Sequence, residues 1–480
     1  MLGNSLSVYI FIRLCIILFH YAPFIWPALL LLGLTSTWPS QLTQLAALLT
    51  VLELTFAALV YLPCIARLRG PAVHPPPLSR EQRLTLFRRC IDRDVVPDPE
   101  AYVKGWFLGA DPGAIGRENV KEFLAWAYFE QDGVAALGRE EREDLEGFVG
   151  AIEEMLGRRF PEGRGGAEAI RLTLDEVETR YRSVLWYLIV GIADLLTHLY
   201  LTAHGFRYYA QPRGEALSVF PPRIQQLTAS RRSPAPEIGY WYRPHAALER
   251  RPIVFFHGIG IGLLAYMRFM VEIAKTGGGV GVLAVEMLPI SFRLCGPPLT
   301  KPAFLHAMTT ILDHHGLSEF ALASHSYGSV FNTHLLLHSP ALSPRIRSLV
   351  LIDPVTILLH RPDVAFNFTR RRPRRANEWQ LWFFASMDPG VASCLGRWFF
   401  WRDNVLWRED LDAFHERGGK VCVYLAGRDL IVDTASVWRY LDGQRAEVVM
   451  FPDLDHAQVF FSNEDRRRIV DSILSYCVGE

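Results

Sequence analysis

A serine, an aspartate and a histidine stand late in this chain in the order Ser326, Asp429, His456, each just past a short apolar run. A serine hydroxyl is a poor nucleophile until a base takes its proton. Histidine suits that role near neutral pH, and a carboxylate fixes its tautomer and steadies the imidazolium. Together the three could perform acyl transfer through a covalent acyl-enzyme. Ser326 lies in Ser324-His325-Ser326-Tyr327-Gly328, after the apolar run Phe320 to Ala323 and before a helix-like segment, Val330 to His338. Strand, sharp serine-bearing turn and helix are the layout of a nucleophile elbow. Its G-x-S-x-G pattern is met except that Ser324 replaces the first glycine. Alone, the pattern is equally a serine-rich turn; its surroundings carry the argument.

Those surroundings supply the remaining parts. The run Ile253 to Phe256 ends in His257-Gly258, whose turn offers main-chain N–H groups to a developing oxyanion. We assign the backbone amides of Ile259 and Tyr327 to that task. Asp429 follows the run Lys420 to Leu425 within a glycine-bearing turn, so it is the preferred acid. Asp433, four residues on, and Asp353, after the run Ser348 to Ile352, are the alternatives. His325, inside the elbow, is expected to pack beside the serine. Asp453 and Asp455 read as solvated loop residues, and Glu286 as the polar end of a strand.

Strand and helix patterns alternate through this half of the chain, which indicates an α/β sheet. Gly281 to Val285 and Ala446 to Phe451 are further strands; Pro302 to His315 and Asn463 to Tyr476 are helices. With His257-Gly258, Ser324-x-Ser326-x-Gly328, Gly427-x-Asp429 and Asp455-His456, residues 236 to 480 resemble the α/β-hydrolase fold superfamily. The resemblance implies a mainly parallel central sheet. It also implies a helical cap at the insertion of about 357–418, and serine chemistry without metal or organic cofactor. Serine at the elbow argues against the dehalogenase and epoxide-hydrolase relatives, which use Asp there. An acyltransferase using the same triad, or an inactive membrane scaffold, are the alternative outcomes.

The rest of the chain suggests where this chemistry happens. Of 480 residues, 50 are Lys or Arg and 50 are Asp or Glu. With no positive excess to neutralise phosphates, a nucleic-acid partner is not expected. The seven cysteines are scattered and lack C-x-x-C spacing, so neither a disulfide framework nor a zinc site is indicated. Ser7 to Leu34 and Leu42 to Ile65 are apolar runs, each long enough to cross a hydrocarbon core of about 30 Å. Residues 1–70 therefore read as a two-helix membrane hairpin turning at Thr35 to Gln41. Arg67, Arg69, Arg80 and Arg83 follow it, which puts the bulk of the chain on the cytosolic side.

Residues 71–235 read as a Pro-rich linker (Gly70 to Pro77) and a mainly helical region without assigned chemistry. Arg117 to Phe129, Glu140 to Leu156 and Leu172 to Leu201 are its helical stretches. Asp194 and His198, four apart, are expected to form one satisfied polar pair. The whole arrangement, hairpin and helical segment ahead of the hydrolase, resembles membrane-associated fungal hydrolases. The cap carries Arg370-Arg371-Arg372-Pro373-Arg374-Arg375 beside Trp379, Trp382, Phe383 and Phe384. That mixture suits an anionic lipid surface. A large apolar cap over a serine favours a lipid or other hydrophobic ester as substrate.

Overall fold

In the computed structural model, which describes residues 2–36 and 38–478, nine strands form one sheet. They are β1 (Arg207–Ala210), β2 (Arg231–Arg232), β3 (Tyr240–Arg243), β4 (Ile253–Phe256), β5 (Val282–Val285), β6 (Phe320–His325), β7 (Ile346–Ile352), β8 (Lys420–Ala426) and β9 (Glu447–Phe451). The order is β2-β1-β3-β5-β4-β6-β7-β8-β9. β3 runs antiparallel to both β1 and β5, and the other pairings are parallel. Strands of a parallel sheet are covered on both faces and so read as unbroken apolar runs. That is why β4 to β8 are visible in the sequence to within two residues. Side chains alternate across the sheet. Val254, Leu322 and Leu349 enter a core shared with the cap, while Phe255, Ala323 and Val350 enter a core on the opposite face.

Two boundaries differ from expectation. The sheet begins at Arg207, ahead of the boundary expected at 236. β1 and β3 are short, aromatic and antiparallel, so they lack the apolar run that marks the other strands. The expected helix from Leu172 begins only at Val184. Ser183 caps it by accepting from the Trp186 amide, and the preceding residues are held instead by the cap. Arg182, fully buried, donates to the carbonyls of Met387 (2.7 Å) and Phe383.

Helix α1 (Leu6–Thr35) and α2 (Ser40–Phe56, continuing helically to Leu68) form the expected hairpin. Thr37, within the expected turn, lies outside the described residues. At 1.5 Å per residue, α1 is about 45 Å long, more than a hydrocarbon core requires. The hairpin closes where a Cβ on Gly33 would meet Thr43 Oγ1 at 2.7 Å, so glycine is needed there. One side of α1 (Ile12, Ile16, Phe19, Ala22) is buried, and its Ile12, Ile16 and Phe19 join the core shared with the sheet and cap. Its other side exposes Leu6, Ile10, Leu14, Phe24 and Leu31. Glu53, the one charge in α2, turns inward and accepts from the Tyr181 hydroxyl.

The helix Val184–Ala203 is also long and apolar enough to cross a membrane. Leu188, Ile192, Leu195 and Leu199 are exposed on it. Asp194 and His198 do not pair with each other as expected. Asp194 binds Arg293 at 2.6 Å and Gln225 at 2.6 Å, whereas His198 packs edge-on against Tyr208 and Trp241. Charges from loops around the sheet reach Asp194 first, so this helix is fastened to the body along one face.

Candidate active site

β6 delivers Ser326 into a strained turn. Its φ is +53°, in the left-handed region that side chains with a Cβ avoid. The turn is held by hydrogen bonds from Ser326 N to Ile352 O (2.9 Å) and from Ser329 N to Ser326 O (2.9 Å). Gly328 is required because a Cβ there would lie 2.4 Å from Phe256 O. Gly258 is required from the other side, where a Cβ would lie 2.8 Å from Ser326 Cβ. Ser324, in place of the first elbow glycine, is accommodated: its hydroxyl accepts from Asn332 Nδ2 at 2.8 Å.

The structure brings Ser326, His456 and Asp429 together across three loops. Ser326 Oγ lies 2.8 Å from His456 Nε2, and His456 Nδ1 lies 2.7 Å from Asp429 Oδ2. The other Asp429 oxygen accepts from the amides of Ile431 (2.7 Å) and Val432 (3.0 Å). Burial favours neutral His456, but the Asp429 carboxylate, aided by Asp353 and Asp455, outweighs it and raises the imidazole pKa above its ordinary value.

The two alternative acids, Asp433 and Asp353, have other partners. Asp433 caps the helix Thr434–Leu441 and pairs with Arg361. Asp353 accepts from Ala426 N (2.9 Å) and Ala457 N (3.0 Å), joining the ends of β7 and β8 to the histidine loop. Asp353, Asp429 and His456 offer ligand atoms within 4.8 Å of one another. Both Asp353 oxygens nonetheless already accept main-chain amides, and His456 Nδ1 faces Asp429.

Asp455 corrects the sequence reading. It is buried, not solvated. One of its oxygens accepts from His456 N (2.8 Å) and Leu430 N (3.2 Å), the other from Asn377 Nδ2 of the cap (2.7 Å). It thus ties the loops bearing Asp429 and His456 to the cap, a link no local pattern signals. Asp453 is exposed and pairs with Arg428, as a loop residue should. Glu286 accepts from Arg223 and Trp241 away from the serine.

His325 packs beside the serine. Its Nδ1 is 2.8 Å from the Tyr266 hydroxyl, which also accepts from Gly258 N. Burial, with His456 adding to it, pushes the His325 pKa down to about 4, so the ring is neutral at physiological pH. His257 is also buried. It accepts from Met287 N through Nε2 and faces Gly258 O through Nδ1, fixing the turn that carries Ile259. Among the described residues, neither the Ile259 nor the Tyr327 amide has a protein acceptor.

Ser326 stands between two apolar spaces. The larger is a cavity of about 650 Å³ reached by Phe384 of the cap, Trp186, and Phe11, Ile12 and Cys15 of α1. The smaller, about 40 Å³, is a slot walled by Trp106, Trp126 and Leu172 together with Phe399 and Tyr327. The middle region therefore contributes directly to the site. Trp126 falls in the stretch Arg117 to Phe129, whose apolar spacing reads from sequence only as that of a helix, and Trp106 ends a separate helix, Pro99–Trp106, that carries no local mark of a site.

No family model matches the chain, and no curated protein matches it. It is similar in structure to carboxylesterases of the ammonia-oxidizing thaumarchaeon Nitrososphaera gargenis, at 14% identity over 50% of this chain and 94% of that one, TM-score 0.35. It is also similar to a serine hydrolase of the bacterium Cycloclasticus zankles, at 15% identity over 50% and 95%, TM-score 0.36. A membrane phospholipase A described as a bacterial virulence factor is similar at 12% identity over 61% and 94%, TM-score 0.38. The nine-stranded, mostly parallel sheet, its serine elbow after β6 and the chain order Ser326, Asp429, His456 make this an α/β-hydrolase fold.

Proposed function

We propose that this chain is a membrane-anchored serine hydrolase cleaving carboxylic esters that carry an apolar acyl chain. The observation that carries the reading is the hydrogen-bonded series Ser326–His456–Asp429 at the meeting point of two apolar spaces. Ser326 Oγ attacks the ester carbonyl while His456 Nε2 takes its proton. The Ile259 and Tyr327 amides, without an acceptor among the described residues, hold the oxyanion. His456 returns the proton to the leaving alkoxide, and Asp429 stabilises the imidazolium meanwhile. Water, deprotonated by His456, then attacks the acyl carbon; as the bond to Ser326 Oγ breaks, His456 returns that proton to Oγ, freeing the acid and the serine. The hairpin holds the body at a bilayer, on the cytosolic side by its flanking arginines.

The test is labelling of the detergent-solubilised full chain with a fluorophosphonate, followed by peptide mapping. An adduct on Ser326 is expected; a folded protein that takes no label refutes the assignment.

The base must be neutral to act, so activity is lost as pH falls through the His456 pKa. Because Asp429 raises that pKa, the acid limb of kcat/KM against pH should lie above about 6.5. A limb below that value would contradict the assignment.

The slot offers a third check. If it receives the acyl chain, Trp106→Leu deepens it. Each further methylene then buried is worth about 0.8 kcal/mol, or roughly fourfold in kcat/KM. The preferred length in a series of nitrophenyl esters should move upward by a few carbons. An unchanged length profile would assign the chain to the larger cavity.

A further inference from the structure

The first apolar helix is both the outer surface of this protein and a wall of its catalytic cavity. Phe11, Ile12 and Cys15 line the same space as Ser326 and His456. Phe11 is 59% exposed, and it lies between Leu6 at 74% and Leu14 at 60% on the outward side of α1. Across the mouth, Phe461 also lines the cavity and is 64% exposed. Two exposed phenylalanines at the rim of an apolar cavity are a poor interface with water. They are continuous with the face that the hairpin presents to lipid.

The amino end of α1 is tied to the cap rather than left free. Leu2 N donates to Gln380 Oε1 at 2.8 Å, Asn377 N donates to Asn4 Oδ1 at 3.1 Å, and the Arg13 guanidinium lies 3.8 Å from the Trp379 ring centre. Asn377 is the same cap residue that binds Asp455 beside the catalytic histidine. Just ahead of it, Arg372, Arg374 and Arg375 are exposed; the Glu378 carboxylate accepts from the Arg374 and Arg375 main-chain amides (2.7 and 2.9 Å), and among the described residues no ion pair within 4 Å joins a carboxylate to their guanidinium groups. Phe11 and Cys15 lie about 7 and 13 Å along the axis from Leu6, at 1.5 Å per residue. In a helix that enters the bilayer at its amino end, that depth is the boundary between headgroups and acyl chains. Arg13 lies at this level too, with its guanidinium over the Trp379 ring of the cap. The ester groups of a glycerolipid sit at this boundary.

We infer that Ser326 is supplied from the bilayer: a membrane glycerolipid ester slides along α1, between Phe11 and Phe461, into the cavity. This rests on the serine-hydrolase reading above and adds the substrate class and its route.

The experiment uses the full chain in phosphatidylcholine vesicles and two fluorophosphonates. One carries a dialkylglycerol group that does not leave its bilayer; the other is short and water-soluble. The lipid probe is expected to label Ser326 at least an order of magnitude faster from the protein's own vesicles than from separate protein-free vesicles. Phe11→Lys places a charge at the mouth. It should lower labelling by the lipid probe far more than labelling by the soluble one.

Should that variant fail to fold, Cys15 serves in the wild type. It is the one partly exposed cysteine among seven, the rest being buried. Loading Ser326 with the lipid probe should protect Cys15 from a long-chain maleimide severalfold, and loading with the soluble probe should not. Equal labelling from both vesicle populations overturns the route and leaves the nucleophile standing. So does labelling by the soluble probe alone, or protection of Cys15 by neither adduct. Absence of labelling by both probes overturns the serine-hydrolase reading and this inference with it.

Discussion

Ser326→Ala and His456→Ala are each expected to lower kcat by about 10⁶, and the double variant by little more, because the two act as one unit. Asp429→Asn should cost about 10⁴. The reason for the smaller loss is specific. Asparagine at 429 keeps one oxygen to accept the Ile431 and Val432 amides, so the loop survives. Its amide nitrogen then faces His456 Nδ1, where a carboxylate oxygen stood at 2.7 Å. An N–H pointing there forces the other tautomer, with the proton on Nε2, and that nitrogen can no longer accept from Ser326 Oγ. Asp433→Asn is the internal control: it caps a helix and pairs with Arg361, so kcat should change less than about threefold. Hydrolysis of a short nitrophenyl ester by the five variants measures this. If Asp433→Asn proved the damaging change and Asp429→Asn the silent one, the acid would be misassigned.

Asp353→Ala should act on stability before it acts on rate. The carboxylate is buried, and it accepts from two backbone amides on different segments, Ala426 and Ala457. Alanine leaves both donors buried and unpaired. At about 1–3 kcal/mol for each, the loss is roughly 4 kcal/mol, a large fraction of a typical folding free energy. The urea midpoint of the detergent-solubilised protein should fall accordingly, while Asp429→Asn shifts it little. A variant at 353 that unfolds like the wild type yet loses about 10⁴ in kcat would reverse the roles of the two aspartates.

The residues themselves make some of this outcome legible. β4 to β8 are buried on both faces, so each must be a nearly continuous apolar run, and such runs with turns after them can be read directly; β9, at the sheet edge, is apolar but only half-buried. The elbow is readable because a turn this tight admits only small neighbours, and Gly328 lies against Phe256 O. The order Ser326, Asp429, His456 follows from the strands that carry them.

Other features are decided by distant parts of the chain, which local patterns do not record. Asp455 looks like any loop aspartate until Asn377 arrives from the cap. Asp194 and His198 share a helix face, yet Arg293 from beyond β5 claims the first and aromatic rings the second. Trp106 and Trp126 read as core of a helical segment; only the docking of that segment turns them toward Ser326. Likewise α1 is legible as an apolar helix from its length and hydropathy. That Phe11 and Cys15 face the serine depends on how the helix packs against the cap. Burial and turn geometry are written in residues near one another along the chain, so the sequence by itself determines the parallel strands β4 to β9, the elbow and the apolar hairpin, whereas the end of the sheet with the antiparallel pairings, β1 to β3, carries no such local mark. The cavity and its opening are made by segments hundreds of residues apart, and only their packing decides which side chains meet.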